Sequence, residues 1–350
     1  MKDKIKQVVD KITPGKAEDD KPHGPITEGN IEEHREKALE SGRKFKYPLH
    51  IARHKILINA AIVFVVALIA FVGLSWWMLY RVQDTSDFYY TATRIIPVPV
   101  ANVDGQDVPY GDYMRRVRAS IYYLEKQDNR DLSTEDGRRE LEHTRRYNMD
   151  EAERIALAYK IAGEKKLSIN DEEVEANIQA TLDAGAGGSI SLKAYENSLR
   201  RYFGWSLDDY RHIVRDRLIL RAASFAIDDA ARERVNEAKR RLNIGEDFAA
   251  VAGQVSDDDV TKARGGDAGV VSVDNVDRDG LIAVARTLNI GQISDIIEGV
   301  DAFYIIKLTE KTDTTVKYSM IKINLGEFSK RFEQLKTDGK ITEYIEIQGE

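Results

Sequence analysis

Residues 56–80 read ILINAAIVFVVALIAFVGLSWWMLY, with no charge and with Asn59 and Ser75 as the notable polar side chains. About 20 apolar residues in a helix cross the hydrocarbon core of a bilayer, so this run is long enough to span with some tilt. A buried core helix is the first alternative, but such helices rarely run 25 residues without a charge. A cleaved leader is the second. Its apolar core would be about 7–15 residues near the N-terminus, with a small-residue cleavage site after it. Here 55 residues precede the run, and Trp76, Trp77 and Tyr80 close it as an interfacial aromatic belt would. Residues 41–55 carry Arg43, Lys44, Lys46, Arg53 and Lys55, against only Arg81 and Arg94 in 81–95. The positive-inside rule then puts the N-terminus in the cytoplasm and residues 81–350 outside, a single-pass protein of the cell membrane.

The remainder must fold under tight constraints. The chain has 350 residues, room for roughly two or three domains. Its net charge of −7 offers no basic surface for nucleic acid. Cysteine is absent, which removes disulfides and thiolate metal sites. No cofactor is expected. The acidic run Asp257–Asp259 lacks the ligand spacing of a calcium loop, so no metal site is expected either. Histidines stand at 23, 34, 50, 54, 143 and 212, and none follows.

Residues 1–55 read as a largely disordered cytoplasmic tail, with a short helix over 31–41. The basic stretch 43–55 is either a lipid-headgroup contact or a simple stop-transfer flank. Residues 95–110 alternate apolar and polar around Asp104-Gly105, a hairpin signal. Helical periodicity follows over 112–127 and 136–166. Asn170 with Glu173 is a capping signature for a helix to Leu182, which Gly185, Gly187 and Gly188 break. Helices are expected again at 191–203 and at 206–227, the latter capped by Ser206. Further on, helices at 229–242, 246–254 and 279–288 surround a Gly/Asp-rich loop at 256–275. Strand-like runs at 302–308 and 317–323, a helix at 326–336 and a β-like segment at 341–347 complete an α+β domain with a small antiparallel sheet.

Within this pattern, GEDFAAVAGQVSDDDVTKARGGDAGVV, then LNIGQIS (288–294), then AFYIIKL (302–308) resemble, in order, the elements of a parvulin-type (PpiC-like) peptidyl-prolyl isomerase domain. The resemblance covers 245–310. Gly265, Gly266 and Gly269 suit positive φ before a strand, and Gly291 suits a left-handed helix end. Residues 95–227 resemble, more distantly, the helical chaperone domain of SurA-type and PrsA-type foldases. The expected organisation is a tail (1–55), a membrane helix (56–80), a helical chaperone-like domain (81–227) and a parvulin-like domain (228–350).

The parvulin resemblance implies a pocket that holds a proline ring while polar groups ease rotation of the X–Pro amide, whose barrier is about 18–20 kcal/mol. It places Asp258 and Tyr304 as catalytic candidates and Val276, Leu281, Met320 and Phe303 as substrate-binding candidates. The two histidines usual in the family are missing: Tyr304 stands at one position and Met320 at the other. The family's first strand has no counterpart before 229. VKYSMIKI (316–323) resembles it, displaced to follow the last strand. Such a rearrangement requires 302–308 and 316–323 to be antiparallel neighbours. The implied function is a membrane-anchored extracytoplasmic foldase that acts on newly exported, proline-containing polypeptides. A non-catalytic peptide-binding chaperone and a structural envelope scaffold are the alternatives.

Overall fold

The computed structural model describes residues 28–46, 48–183, 189–275 and 277–347. The proposed tail up to residue 27, the glycines at 185, 187 and 188, and Val276 lie outside the described residues. Two compact units are present, Met1–Ser75 and Trp76–Glu350.

The first unit contains helix α1 (Glu28–Lys46), longer than the turns expected at 31–41, and most of α2 (Pro48–Trp77). Helix α2 runs on into a π-helical turn, Met78–Val82, which ends where Gln83 turns left-handed at φ 55°. The stretch His54–Val82 is, among the described residues, one helix long and apolar enough to cross a membrane.

The second unit holds a helical part and a sheet part. Helix α3 (Asp87–Ile95) leads into strands β1 (Pro99–Val103) and β2 (Gln106–Pro109). The hairpin turns at Asp104 (φ 48°) and Gly105 (φ 90°), the double positive φ of a tight two-residue turn. Helices α4 (Tyr110–Lys126), α5 (Glu135–Lys165), α6 (Asp171–Asp183), α7 (Leu192–Phe203) and α8 (Leu207–Ile227) follow. Their local start signals hold. The Asn170 side chain accepts from the Glu173 N–H at 2.8 Å and Glu173 reciprocates at 2.9 Å. Ser206 and Asp209 form the equivalent box on α8. The core of this part joins Leu79, Val100, Met114, Leu157, Ile161 and Ala223.

The sheet part comprises α9 (Asp229–Asn243), α10 (Phe248–Val255), the single turn α11 (Asp259–Lys262), β3 (Asp267–Ser272), α12 (Leu281–Thr287), β4 (Ile297–Glu298), β5 (Ala302–Lys311) and β6 (Thr315–Asn324). The strand order is β3-β6-β5-β4, antiparallel throughout. Strand β6 is therefore central and pairs with β5, Ile306 opposite Met320 and Tyr304 opposite Lys322. This is the neighbour relation that the displaced first strand requires.

Side chains alternate across the pleat, which gives the sheet two cores. Phe303, Ile305, Ile321 and Ile323 pack under α9 and α10. Tyr304, Ile306, Leu308 and Tyr318 pack under α12.

The chain then returns. Helix α13 (Glu327–Thr337) and strand β7 (Ile341–Glu343) belong to the helical part. Strand β7 adds to β1, with Val103 opposite Ile341, and Phe328, Phe332 and Ile345 enter the first core. One buried carboxylate joins both crossings between the parts. Asp228 accepts from Ala231 N–H at 2.9 Å, which caps α9, and from Gly326 and Glu327 N–H at 2.7 and 3.0 Å, where α13 starts.

Candidate functional site

The α12 face of the sheet gathers most of the residues singled out above. Asp277 builds its rim: its carboxylate accepts from Asp279 and Gly280 N–H at 3.0 and 3.1 Å and also from Ile282 N–H. These bonds satisfy the exposed donors at the start of α12 and set Leu281 over the sheet. Leu281 is buried beside Tyr304 and Ile306, and Met320 packs at the edge of the same cluster. Tyr304 is 3% exposed. Its hydroxyl donates to Asp279 Oδ2 at 3.1 Å, while Asp279 Oδ1 accepts from Val300 N–H at 2.8 Å. Burial, then the Asp279 carboxylate, pushes the Tyr304 phenol well above its ordinary value, so it stays a donor at any physiological pH. Lys322, two residues beyond Met320 on the same face, holds its ammonium 5.9 Å from the Tyr304 ring centre.

Asp258 joins this group through the backbone of Lys322. Ser256, fully buried, accepts the Lys322 N–H at 3.1 Å, and Asp257 N–H donates to the Lys322 carbonyl at 2.7 Å. The Asp258 carboxylate itself caps α11, accepting from Thr261 N–H and its hydroxyl at 2.8 Å each. Those bonds, with Lys322 and Arg264 nearby, hold it below the usual carboxylate range. It is ionised, partly exposed and fixed in place.

Phe303 is elsewhere. It is the neighbour of Tyr304 on one strand, so the pleat turns it to the opposite face, edge-on to Phe225 at 4.9 Å. It does not share a face with Tyr304, Leu281 and Met320. The glycines of the reversal, Gly265, Gly266 and Gly269, all have positive φ. At Gly266 a Cβ would lie 2.8 Å from the Met320 carbonyl oxygen. Gly291 also has positive φ, but α12 has already ended at Thr287. It serves a turn, and its N–H donates to Leu308 O at 2.8 Å.

Two residues of this face escaped sequence reasoning. Lys322 carried a usable signal, since period two from Met320 reaches it. Asp279 carried none, because the loop that delivers it has no periodicity.

A second concavity lies in the helical part. Helices α4, α5 and α8 and the end of α7 enclose a groove of about 670 Å³. Tyr123, Leu124, Tyr147, Ile155, Phe203 and Trp205 supply its apolar surface. Phe203 and Trp205 lie 5.0 Å apart, and Tyr123 stacks on Phe203 at 6.2 Å. Arg116 and Asp216, paired at 2.6 Å, also line it. Neither this volume nor its lining was anticipated. The aromatics come from three separate helices and one loop.

Comparison with known proteins gives two family matches. Residues 49–224 match the SurA-like N-terminal domain, and residues 217–310 match the PPIC-type PPIASE domain. The foldase protein PrsA of Clostridium kluyveri is 40% identical over 86 residues, which is 24% of this chain and 25% of that protein. The foldase protein PrsA of Geobacillus kaustophilus is 26% identical over 162 residues, 46% of this chain and 53% of that protein. The chain thus spans about a quarter to a half of the length of these curated relatives. A crystal structure of foldase protein PrsA from Streptococcus pneumoniae aligns at 20% identity over 55% of this chain and 75% of that one, with a TM-score of 0.18.

Proposed function

This chain belongs to the family defined by the SurA-like N-terminal domain and carries a PPIC-type PPIASE domain beside it, and from that premise we propose that it is a membrane-anchored extracytoplasmic foldase. The helix at 56–80 spans the bilayer, with the N-terminus inside and residues 81–350 outside. Its clients are unfolded, newly exported polypeptides, including proline-containing segments. Residues 81–227 together with 327–345 form the client-binding part, and 228–326 the parvulin-like part.

The observation that carries this reading is the aromatic groove. Its volume of about 670 Å³ is that of a ligand site, yet it is open, and its mostly apolar surface is edged by polar side chains such as His143, Glu151 and Arg217. Flat aromatic side chains bury large area at low entropic cost without demanding one partner sequence. An unfolded chain offers such a surface scattered Leu, Val and Phe side chains rather than a motif. The test is suppression of aggregation of a denatured client by the full chain in detergent micelles. Tyr147, on the rim, and Tyr123 are changed to Ser together. Protection is expected to fall at least threefold in the double variant. Equal protection by wild type and variant overturns the groove as the client site.

Isomerase activity is a second reading, favoured by Tyr304, Asp279 and Lys322 at one apolar face, with the Asp258 carboxylate in the field of Lys322. Rotation about X–Pro needs no covalent step. A fixed donor directed at the prolyl nitrogen, in surroundings poor in water, lowers the barrier by favouring the twisted amide. Lys322 is the donor in this reading, held over the Tyr304 ring whose own proton is committed to Asp279, and Asp258 supplies the negative field at the rim. Turnover of a proline tetrapeptide that falls in Lys322→Met and Asp258→Asn supports it. A wild-type rate equal to the uncatalysed one removes the enzyme and leaves the chaperone.

A further inference from the structure

The segment between the apolar helix and β1 is fastened to the end of that helix on both sides. The Tyr80 hydroxyl donates to Pro99 O at 2.6 Å, and the Tyr110 hydroxyl donates to Leu79 O at 2.5 Å. The Tyr80 and Tyr110 rings meet edge-on at 5.7 Å, and Leu79 is buried in the first core. Gln83, at the other end of the segment, donates to Glu346 O at 2.7 Å. Residues 83–99 therefore leave the last turn of the helix and come back to it. No free linker separates the folded part from the turn that follows Trp76 and Trp77.

That returning segment carries α3, whose two sides differ from the usual pattern. The inner side, Tyr89, Tyr90 and Thr93, packs on the core. Tyr90 donates to Asp209 at 2.5 Å, and Gly111 stands against the Thr93 carbonyl. The outer side, at i, i+3 and i+7, is Phe88, Thr91 and Ile95, with Ala92 half-buried beside it. Phe88 is 59% exposed, Ile95 76%, and the adjoining Ile96 61%. Large apolar side chains exposed to this degree on one short helix and its end mark an interaction site.

We infer that the outer face of α3, through Phe88, Ile95 and Ile96, rests in the lipid interface beside the point where the apolar helix leaves the bilayer. The inference deepens the proposed anchoring and rests on it. Chain length selects the occupant. Ile96 is three residues from Pro99, about 10 Å at full extension, and Pro99 is bonded to Tyr80. Phe88 is six residues beyond Val82, within about 20 Å of it. The face is thus tethered within about 20 Å of the end of the apolar helix, within reach of the interfacial belt, where helices of this type sink about 5–10 Å into the headgroup and acyl boundary. The charges on α3 do not oppose this. Arg94 pairs with Asp208 at 2.6 Å and Asp87 with Arg118.

The chain's lack of cysteine makes the test direct. Single variants Phe88→Cys, Ile95→Cys, Val66→Cys (within the apolar run) and Ile244→Cys are made in the full chain. Each is nitroxide-labelled and reconstituted into vesicles of phosphatidylcholine and phosphatidylglycerol, 80% exposure making Ile244 the water reference. Oxygen and nickel-chelate accessibilities then give depth. The expected result is hydrocarbon behaviour at 66, interfacial behaviour at 88 and 95, with nickel access at least fivefold below that at 244, and water behaviour at 244. If 66 reads as water, the anchoring itself fails. If 66 reads as hydrocarbon but 88 and 95 match 244, anchoring stands and the inference is overturned. If protection at 88 and 95 disappears on tenfold dilution of the protein in lipid, a second copy covers the face, which also overturns it.

Discussion

Glu153 lies in α5 with 0% exposure, and neither of its carboxylate oxygens has a hydrogen-bond partner among the described residues. The charged groups around it are Arg146 and Asp150 on its own helix, Glu343 on β7 and Lys336 on α13. Both cations are engaged elsewhere: Arg146 holds Glu343 at 2.6 and 3.1 Å, and Lys336 holds Asp150 at 3.0 Å. Burial first, and the Glu343 charge second, push the Glu153 carboxyl up to about 8 against the pull of Arg146. The folded protein therefore keeps this proton where the unfolded chain, with its ordinary value of 4.5, releases it. The folded pKa is raised, so stability falls as pH rises from about 4.5 to about 8, at about 1.4 kcal/mol per pH unit. At pH 7, about 2.5 pH units into that window, the loss is about 3 kcal/mol, and about 2 once the shared charge of Glu343 is allowed for. Glu153→Gln removes this dependence. Urea unfolding of the full chain in micelles, followed by circular dichroism at pH 4.5 and 7.5, should show the variant gaining about 2–3 kcal/mol on wild type between the two. A constant difference between variant and wild type across that range would mean Glu153 is ionised in the fold, and would refute the reasoning.

Asp228→Ala should cost about 2–4 kcal/mol, because three backbone N–H groups lose their acceptor where both connections cross. Those bonds outweigh burial and hold Asp228 below its ordinary 3.8, so its contribution is present above that pH and is lost on acidification below it. The gap between wild type and variant in urea midpoint should shrink below pH 3. Gly266→Ala combines a φ of +89° with a Cβ 2.8 Å from the Met320 carbonyl oxygen, and should cost about 2–4 kcal/mol in urea unfolding. An unchanged midpoint would show that β3 and β6 do not meet there. Tyr304→Phe leaves Asp279 Oδ2 without its donor and should cost about 1–1.5 kcal/mol by the same measurement.

What the sequence disclosed was local. Asn170 with Glu173, Ser206 with Asp209 and Asp104-Gly105 each specify a cap or turn within four residues, and all three form. The apolar run of α2 needs no partner to be recognised. The central place of β6 was also within reach, because its sequence resembles a strand that must lie next to β5. What stayed hidden depends on residues far apart. Strand β7 pairs Ile341 with Val103, and nothing in either segment names the other. The groove exists only once α4, α5 and α8 are packed, and Phe203 and Trp205 flank a break between helices. The opposite facing of Phe303 and Tyr304 was visible in the period of two. The family resemblance groups Phe303 with side chains from which the pleat separates it.

The return of residues 327–345 to the helical core sets an order of events as the chain emerges. A chain that emerges N-terminus first presents β1, β2 and α4–α8 long before the strand that completes their sheet. Until Phe332 and Ile345 have crossed, Val103 and Met149 lack their cover and β1 has an open edge. The sheet part, by contrast, is complete in one passage from Asp229 to Asn324 and can close first. Under the proposed function, a chain that shelters unfinished proteins would emerge with its own client-binding half unfinished, and for that interval would resemble what it binds.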